Sequence, residues 1–125
     1  MPKSAVVTAD APAAIGPYSQ AIVSGDLIFT SGQIPLDARG NLVGGEIEDQ
    51  VRQVMENLKA VLHKAGANFD SVVKTTIYLR SLADFSRVNA VYESYFGQCP
   101  PARSTVQVAA LPRDASVEID MIARR

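Results

Sequence analysis

Two short runs, Ser19 to Ser24 and Leu27 to Ser31, are separated only by Gly25-Asp26 and are apolar at consecutive rather than alternate positions. A two-residue connection of this kind predicts a tight β-hairpin. Within it Ala21, Ile22, Val23, Leu27, Ile28 and Phe29 leave neither face polar. Successive strand side chains point to opposite faces, so a half-solvated strand alternates, whereas continuous apolar character belongs to strands covered on both faces. Whatever fold the chain adopts must supply two covers for this sheet.

The helices available for that task are few. Ile47, Val51, Val54, Leu58, Val61, Leu62 and Ala65 recur at helical spacing, and Gly66 is placed to end the helix. Val72 to Arg80 is rich in β-branched residues and predicts a strand, so the hairpin's second strand, this helix and Val72 to Arg80 can form a right-handed crossover. Ser81 with Asp84 resembles a capping box, followed by an apolar stripe of Phe85, Val88, Tyr92, Tyr95 and Phe96 that Gly97 closes. Two more strands are predicted at Arg103 to Ala109 and Val117 to Ala123, with a weak first strand near Val6 to Thr8. The sum is one α+β domain over 1–125, about six strands in a mixed sheet with two helices on one face. Two helices cover only one face, and self-association is the simplest cover for the other. A homo-oligomer with clefts between subunits is the expectation.

Alternation in the last two strands places Val106 and Val108 with Val117, Ile119 and Met121, and therefore Arg103, Thr105 and Gln107 on the face of Glu118 and Asp120. The Leu111-Pro112-Arg113-Asp114 connection is long enough for the two strands to form a hairpin.

Composition narrows the chemistry. Twelve basic residues against thirteen acidic ones, with no basic block, lack the electrostatic footprint of a nucleic-acid binder. The N-terminus carries no signal-type apolar run and no stretch is long enough to span a bilayer, so a cytoplasmic protein without a membrane partner is expected. Cys99 is the only cysteine and His63 the only histidine. Multi-ligand zinc sites and Ser-His-Asp or Cys-His nucleophiles are not expected from such a set. His63 suits a helix C-terminus, where a cation meets the dipole favourably. Gly40, Gly44 and Gly45 lack the Lys and Ser or Thr of a phosphate loop.

Arg103 opens its strand directly after Pro100-Pro101-Ala102. A guanidinium anchored in this way is a fixed fork suited to gripping a carboxylate through two hydrogen bonds. With Glu118 it would join an anion grip to a group able to move a proton; the plainer alternative is a surface salt bridge. Tyr18, after Ile15-Gly16-Pro17, would stand at the hairpin mouth or pack at a sheet edge. Ser31-Gly32-Gln33 would admit a ligand close to backbone N–H groups or form an ordinary turn. Asn89, at the edge of the second helix's stripe, would brace the backbone or bind a ligand.

Taken together, Ala13-Ala14-Ile15-Gly16-Pro17-Tyr18, Thr30-Ser31-Gly32-Gln33-Ile34-Pro35, Val88-Asn89, Pro101-Ala102-Arg103-Ser104-Thr105-Val106, Leu111-Pro112 and Val117-Glu118-Ile119 resemble the RidA (YjgF) family over nearly the whole chain. The resemblance implies a chorismate-mutase-like fold assembled as a homotrimer, with three ligand clefts between subunits. It implies a hydrolase that deaminates reactive enamine and imine acids, 2-iminobutanoate, 2-iminopropanoate and 2-aminoacrylate-type compounds, to 2-oxo acids and ammonia without a cofactor. By position, Arg103 would bind the substrate carboxylate and Glu118 would orient or activate water. Backbone groups of Gly32 and Thr105 would hold the substrate, with Tyr18, Ser31 and Asn89 lining the cleft. Many members carry cysteine where this chain has Thr105; a main-chain role there tolerates the change. A non-catalytic module that binds 2-oxo acids is the competing function. The ribonuclease activity ascribed to some relatives has no histidine pair to support it here.

Overall fold

The computed structural model describes residues 2–125, ordered as β1 (Ser4–Val6), β2 (Ala21–Ser24), β3 (Leu27–Thr30), α1 (Ile47–Lys64), β4 (Val72–Leu79), α2 (Phe85–Glu93), β5 (Ala102–Gln107) and β6 (Val117–Arg124). The strands form one mixed sheet in the order β1-β2-β3-β6-β4-β5. β2 and β3 make the expected hairpin, pairing Ala21 with Thr30 and Ser24 with Leu27. Both crossovers are built on helices: β3 and β4 are each antiparallel to β6, which lies between them, and α2 links β4 to the adjacent parallel β5. No helix among the described residues is long and apolar enough to cross a membrane.

α1 forms because its apolar residues repeat on one face, and Val51, Val54, Met55, Leu58, Val61 and Leu62 are all fully buried. Its end is dictated by Gly66, whose φ of 87° a side chain resists. Gly66 N–H donates to His63 O and Ala67 N–H to Leu62 O, which satisfies carbonyls the helix leaves open. Two polar residues are buried on the same helix because each has a backbone partner. Asn57 Nδ2 donates to Leu36 O at 2.7 Å, and Gln50 Oε1 accepts from Ser116 N–H at 3.2 Å.

α2 is shorter than its stripe predicts. Ser81 caps a 3-10 turn over Leu82–Asp84, its hydroxyl accepting from Ala83 N–H, and the helix runs only from Phe85 to Glu93. Tyr95 and Phe96 leave the helix and pack edgewise on Phe69, with centroids 5.5 and 5.4 Å away.

Both helices cover one face of the sheet, where Ile28, Ile77, Leu79, Val117, Ile119 and Met121 form the core with α1. The opposite face is open. Leu27 and Phe29 on β3 and, two strands away, Val106 on β5 are 37%, 41% and 42% exposed on it.

The end of the chain departs from expectation in a way that decides the site. β5 and β6 form no hairpin, because β4 lies between them. Arg103 pairs with Thr75 and Thr105 with Ile77, so Arg103, Thr105 and Gln107 lie on the helix-covered face. Glu118 pairs with Tyr78 and Asp120 with Thr76, on the open face. Arg103 and Glu118 thus point to opposite sides of the sheet, not to the same side. The inference from alternation fails because β5 is an edge strand whose apolar Val106 marks the uncovered face rather than the core.

Candidate active site

Arg103 is held from three sides by α2. Phe85, Asn89 and Tyr92 sit four and three residues apart and so share a helix face. Asn89 Oδ1 accepts from Arg103 Nη1 at 2.7 Å. The guanidinium carbon lies 5.0 Å from the Tyr92 ring centre and 5.5 Å from that of Phe85, both within cation–π range. Tyr92 is itself fixed by a 2.8 Å hydrogen bond between its hydroxyl and Thr75 Oγ1, deep in the core. The remaining N–H groups of the Arg103 fork make no hydrogen bond within the described residues. A long, flexible side chain has been immobilised with donors to spare, so little ordering entropy remains to oppose ligand binding. Two residues along the same face, the Thr105 hydroxyl is buried and has no hydrogen-bond partner. A cavity of about 760 Å³ opens beside Arg103 between α2 and Pro100-Pro101.

The second cluster lies on the other face of the sheet. Tyr18, Ser31, Gly32 and Glu118 line one cleft of about 540 Å³, together with Ile15, Ile34 and Arg113. The segment after β3 is locked against β6 by reciprocal backbone bonds between Gln33 and Ile119, at 2.9 and 3.1 Å. Ser31 Oγ donates to Ser19 O at 2.6 Å, which ties the cleft floor to the chain entering β2. Gln20, buried directly before β2, pins the preceding loop: Oε1 accepts from Thr8 N–H at 2.7 Å and Nε2 donates to Pro12 O at 2.8 Å.

Gly32 is a glycine for a reason other than backbone freedom. A Cβ at this position would stand 2.1 Å from Glu118 Oε2. The carboxylate rests where any side chain at 32 would be. Glu118 has no hydrogen-bonding or ionic partner within the described residues. Burial pushes its carboxyl above the ordinary range, and the negative charge of Asp120 pushes it further. Asp120 is raised by burial too, against the opposing effects of a 3.0 Å hydrogen bond from the Tyr78 hydroxyl and of Lys74. A carboxylate with a raised pKa in a cleft is suited to accept and return a proton.

The structure therefore brings Tyr18, Ser31, Gly32 and Glu118 together, and brings Asn89 to Arg103, but leaves the two groups on opposite faces. Two strand spacings separate Glu118 from the β5 position level with it, about 10 Å. Sequence reasoning did not assign Phe85 and Tyr92 to the guanidinium or Gln20 to the loop. The stripe spacing of α2 carries the first signal; Gln20 follows Ser19 just before β2, where the sequence pattern carries no signal for it.

A family profile described as "Endoribonuclease L-PSP" matches residues 8–125. The "2-iminobutanoate/2-iminopropanoate deaminase" of Salmonella typhimurium is 46% identical over 123 residues, covering 96% of each chain. A solved Rid-family protein of Yersinia pestis superposes with a TM-score of 0.97 at 50% identity, covering 99% of this chain and 100% of its own. Escherichia coli TdcF, solved with bound serine, gives 0.93 at 40% identity and 98% coverage of both chains. On the profile match, the sequence identity and the shared chorismate-mutase-like α+β architecture, this chain belongs to the YjgF/RidA (endoribonuclease L-PSP) family.

Proposed function

We propose that this protein hydrolyses reactive 2-enamine and 2-imine acids, 2-iminobutanoate and 2-iminopropanoate among them, to 2-oxo acids and ammonia at a cleft assembled between protomers of a homotrimer. The observation that carries the reading is the separation of a pre-set carboxylate grip, Arg103, from an unpaired, proton-hungry carboxylate, Glu118, on opposite faces of one sheet. One protomer cannot close a site around both. A neighbour seated on the open face would cover the exposed Leu27, Phe29 and Val106 and place the Arg103 of one protomer against the Glu118 cleft of the next.

The chemistry needs little more than placement. The Arg103 fork holds the substrate carboxylate, and backbone groups at Gly32 and Thr105 fix the imine, with Tyr18, Ser31 and Asn89 around it. Glu118 takes a proton from water as the water oxygen bonds to C2 and passes it to the imine nitrogen, which gives a neutral amino alcohol. As the C2–N bond then breaks, Glu118 takes the hydroxyl proton and delivers it to the departing nitrogen, so that ammonia leaves, the 2-oxo acid remains and the carboxylate is restored. The imine carbon is already electrophilic, so positioning and acid–base help account for the rate. No step calls for a cofactor.

The direct test couples the purified protein to a threonine dehydratase and follows 2-oxobutanoate. Faster release with the protein than without it is the expected result, and unchanged release would overturn the reading. The serine bound in the related TdcF favours one second reading, a module that binds a small amino or oxo acid without turning it over. Calorimetric binding of 2-oxobutanoate with no acceleration would select that module.

The pH profile gives a finer check. Glu118 must be ionised to take the proton, so activity falls as pH drops through its raised pKa. Asp120 raises that pKa by repulsion, and neutralising it favours ionised Glu118. Asp120→Asn, whose side-chain oxygen still accepts from Tyr78, is expected to move the acid limb to lower pH. An acid limb that stays in place would remove Glu118 from the proton-transfer role.

A further inference from the structure

The turn leading into β6 holds the two non-glycine residues with positive φ among those described. Arg113 (φ 57°) and Asp114 (φ 60°) occupy the left-handed region in succession, which a Cβ disfavours and glycine does not. Asp114 has an evident reason for its side chain. Arg80 Nη1 donates to Asp114 O at 2.9 Å and lies 3.0 Å from Oδ1, while Arg80 N–H donates to Ser116 O at 3.2 Å. The turn is clamped to the end of β4. Arg113 has no such partner among the described residues: none of them brings a carboxylate within ion-pair distance of its guanidinium, and Nη1 donates to Gly40 O at 3.1 Å.

What Arg113 does have is a place on the cleft wall with Tyr18, Ser31, Gly32 and Glu118. Among the described residues, Arg113 and Glu118 are the only charged ones lining this cleft, and Asp120 adds negative charge nearby. An anionic ligand entering therefore meets two carboxylates that repel it and one cation that attracts it. We propose that Arg113 is the capture cation of the cleft, drawing the 2-imino acid to its mouth before the Arg103 of the neighbouring protomer takes the carboxylate. The strained turn holds that charge over the opening. This rests on the deaminase reading for its substrate, though a bound 2-oxo acid would feel the same field.

Arg113→Gly makes a clean test because glycine suits φ 57° and should not weaken the fold. Arg113→Lys keeps the charge. In the coupled dehydratase assay at low salt, the glycine variant is expected to lose about five-fold in efficiency per mole of protein. In about 0.5 M salt, which screens exposed charges, the deficit should narrow to less than about two-fold. The lysine variant should retain most of the low-salt efficiency, and calorimetry with 2-oxobutanoate should show the same pattern in Kd. A glycine variant equal to wild type in both measurements overturns the proposal. So does a deficit that ignores salt and that lysine does not restore, since that pattern belongs to a structural role. If the wild type binds 2-oxobutanoate but accelerates nothing, the deaminase reading fails while the calorimetric arm still decides Arg113; a wild type that neither binds 2-oxobutanoate nor accelerates its release overturns both.

Discussion

Arg103→Ala is expected to lower deaminase efficiency by about 10² to 10³, because it removes a charge-assisted, two-point grip on the substrate carboxylate. The fold should be little changed, since Arg103 lies on an edge strand and its neighbours Phe85 and Tyr92 remain packed on α2. Arg103→Lys should recover only a small part of the loss. Lysine offers a point charge with neither the planar fork nor the same stacking between the two rings. A cooperative melting transition near that of wild type, measured beside the coupled assay, separates lost binding from lost structure. Equal acceleration by wild type and Arg103→Ala would strip Arg103 of the role. Mixing the variant with Glu118→Gln by co-refolding tests the shared cleft directly. Each variant alone lacks one half of every site, but a random one-to-one mixture restores about a quarter of the interfaces, those pairing an intact Arg103 with an intact Glu118 across subunits. Recovery near that fraction is expected; none would place both residues' function within one protomer.

Gly32→Ala is the second large effect, and the more unusual one, because a single methyl group is asked to disable a residue 86 positions away in sequence. The added carbon would collide with Glu118 Oε2 and press on its Cδ and Cγ. Those atoms belong to a movable side chain, so the fold yields and the carboxylate swings out of position. A displacement of about 1 Å at a reacting group costs on the order of 10² in rate, in the lower part of the roughly 10² to 10⁴ expected for Glu118→Gln. The double variant should be no worse than Glu118→Gln alone, since both changes disable one group. Additive losses would mean that Gly32 acts through the substrate or the backbone rather than through Glu118. Unaltered activity in Gly32→Ala would show that the carboxylate's place against the glycine is not the one used.

Much of the fold was legible residue by residue. The Gly25-Asp26 hairpin, α1 with its stop at Gly66, the β4 strand and the helix-covered face all follow from local signals: turn length, period and positive φ. The α2 stripe marked Phe85 and Tyr92 as inward-facing; Tyr92 is buried while Phe85 stays exposed, and nothing in a helical period says that the group between them is a guanidinium. The family motif named Gly32 and Glu118 separately; their contact, at a distance that forbids a Cβ, joins the segment after β3 to the start of β6.

The sequence alone therefore determined the element types, the apolar hairpin that needs two covers, and the residues on which a site could be built. Those are properties of period and composition, encoded within a dozen residues of one another. Which side of the sheet each site residue faces was decided only by tertiary structure. β5 pairs in parallel with β4 while β6 pairs antiparallel on β4's other side, and strand alternation is relative until a neighbour fixes its phase. That choice of partner put Arg103 beneath α2 and Glu118 on the open face, and so turned an apparent pair within one chain into two groups that a single protomer keeps apart.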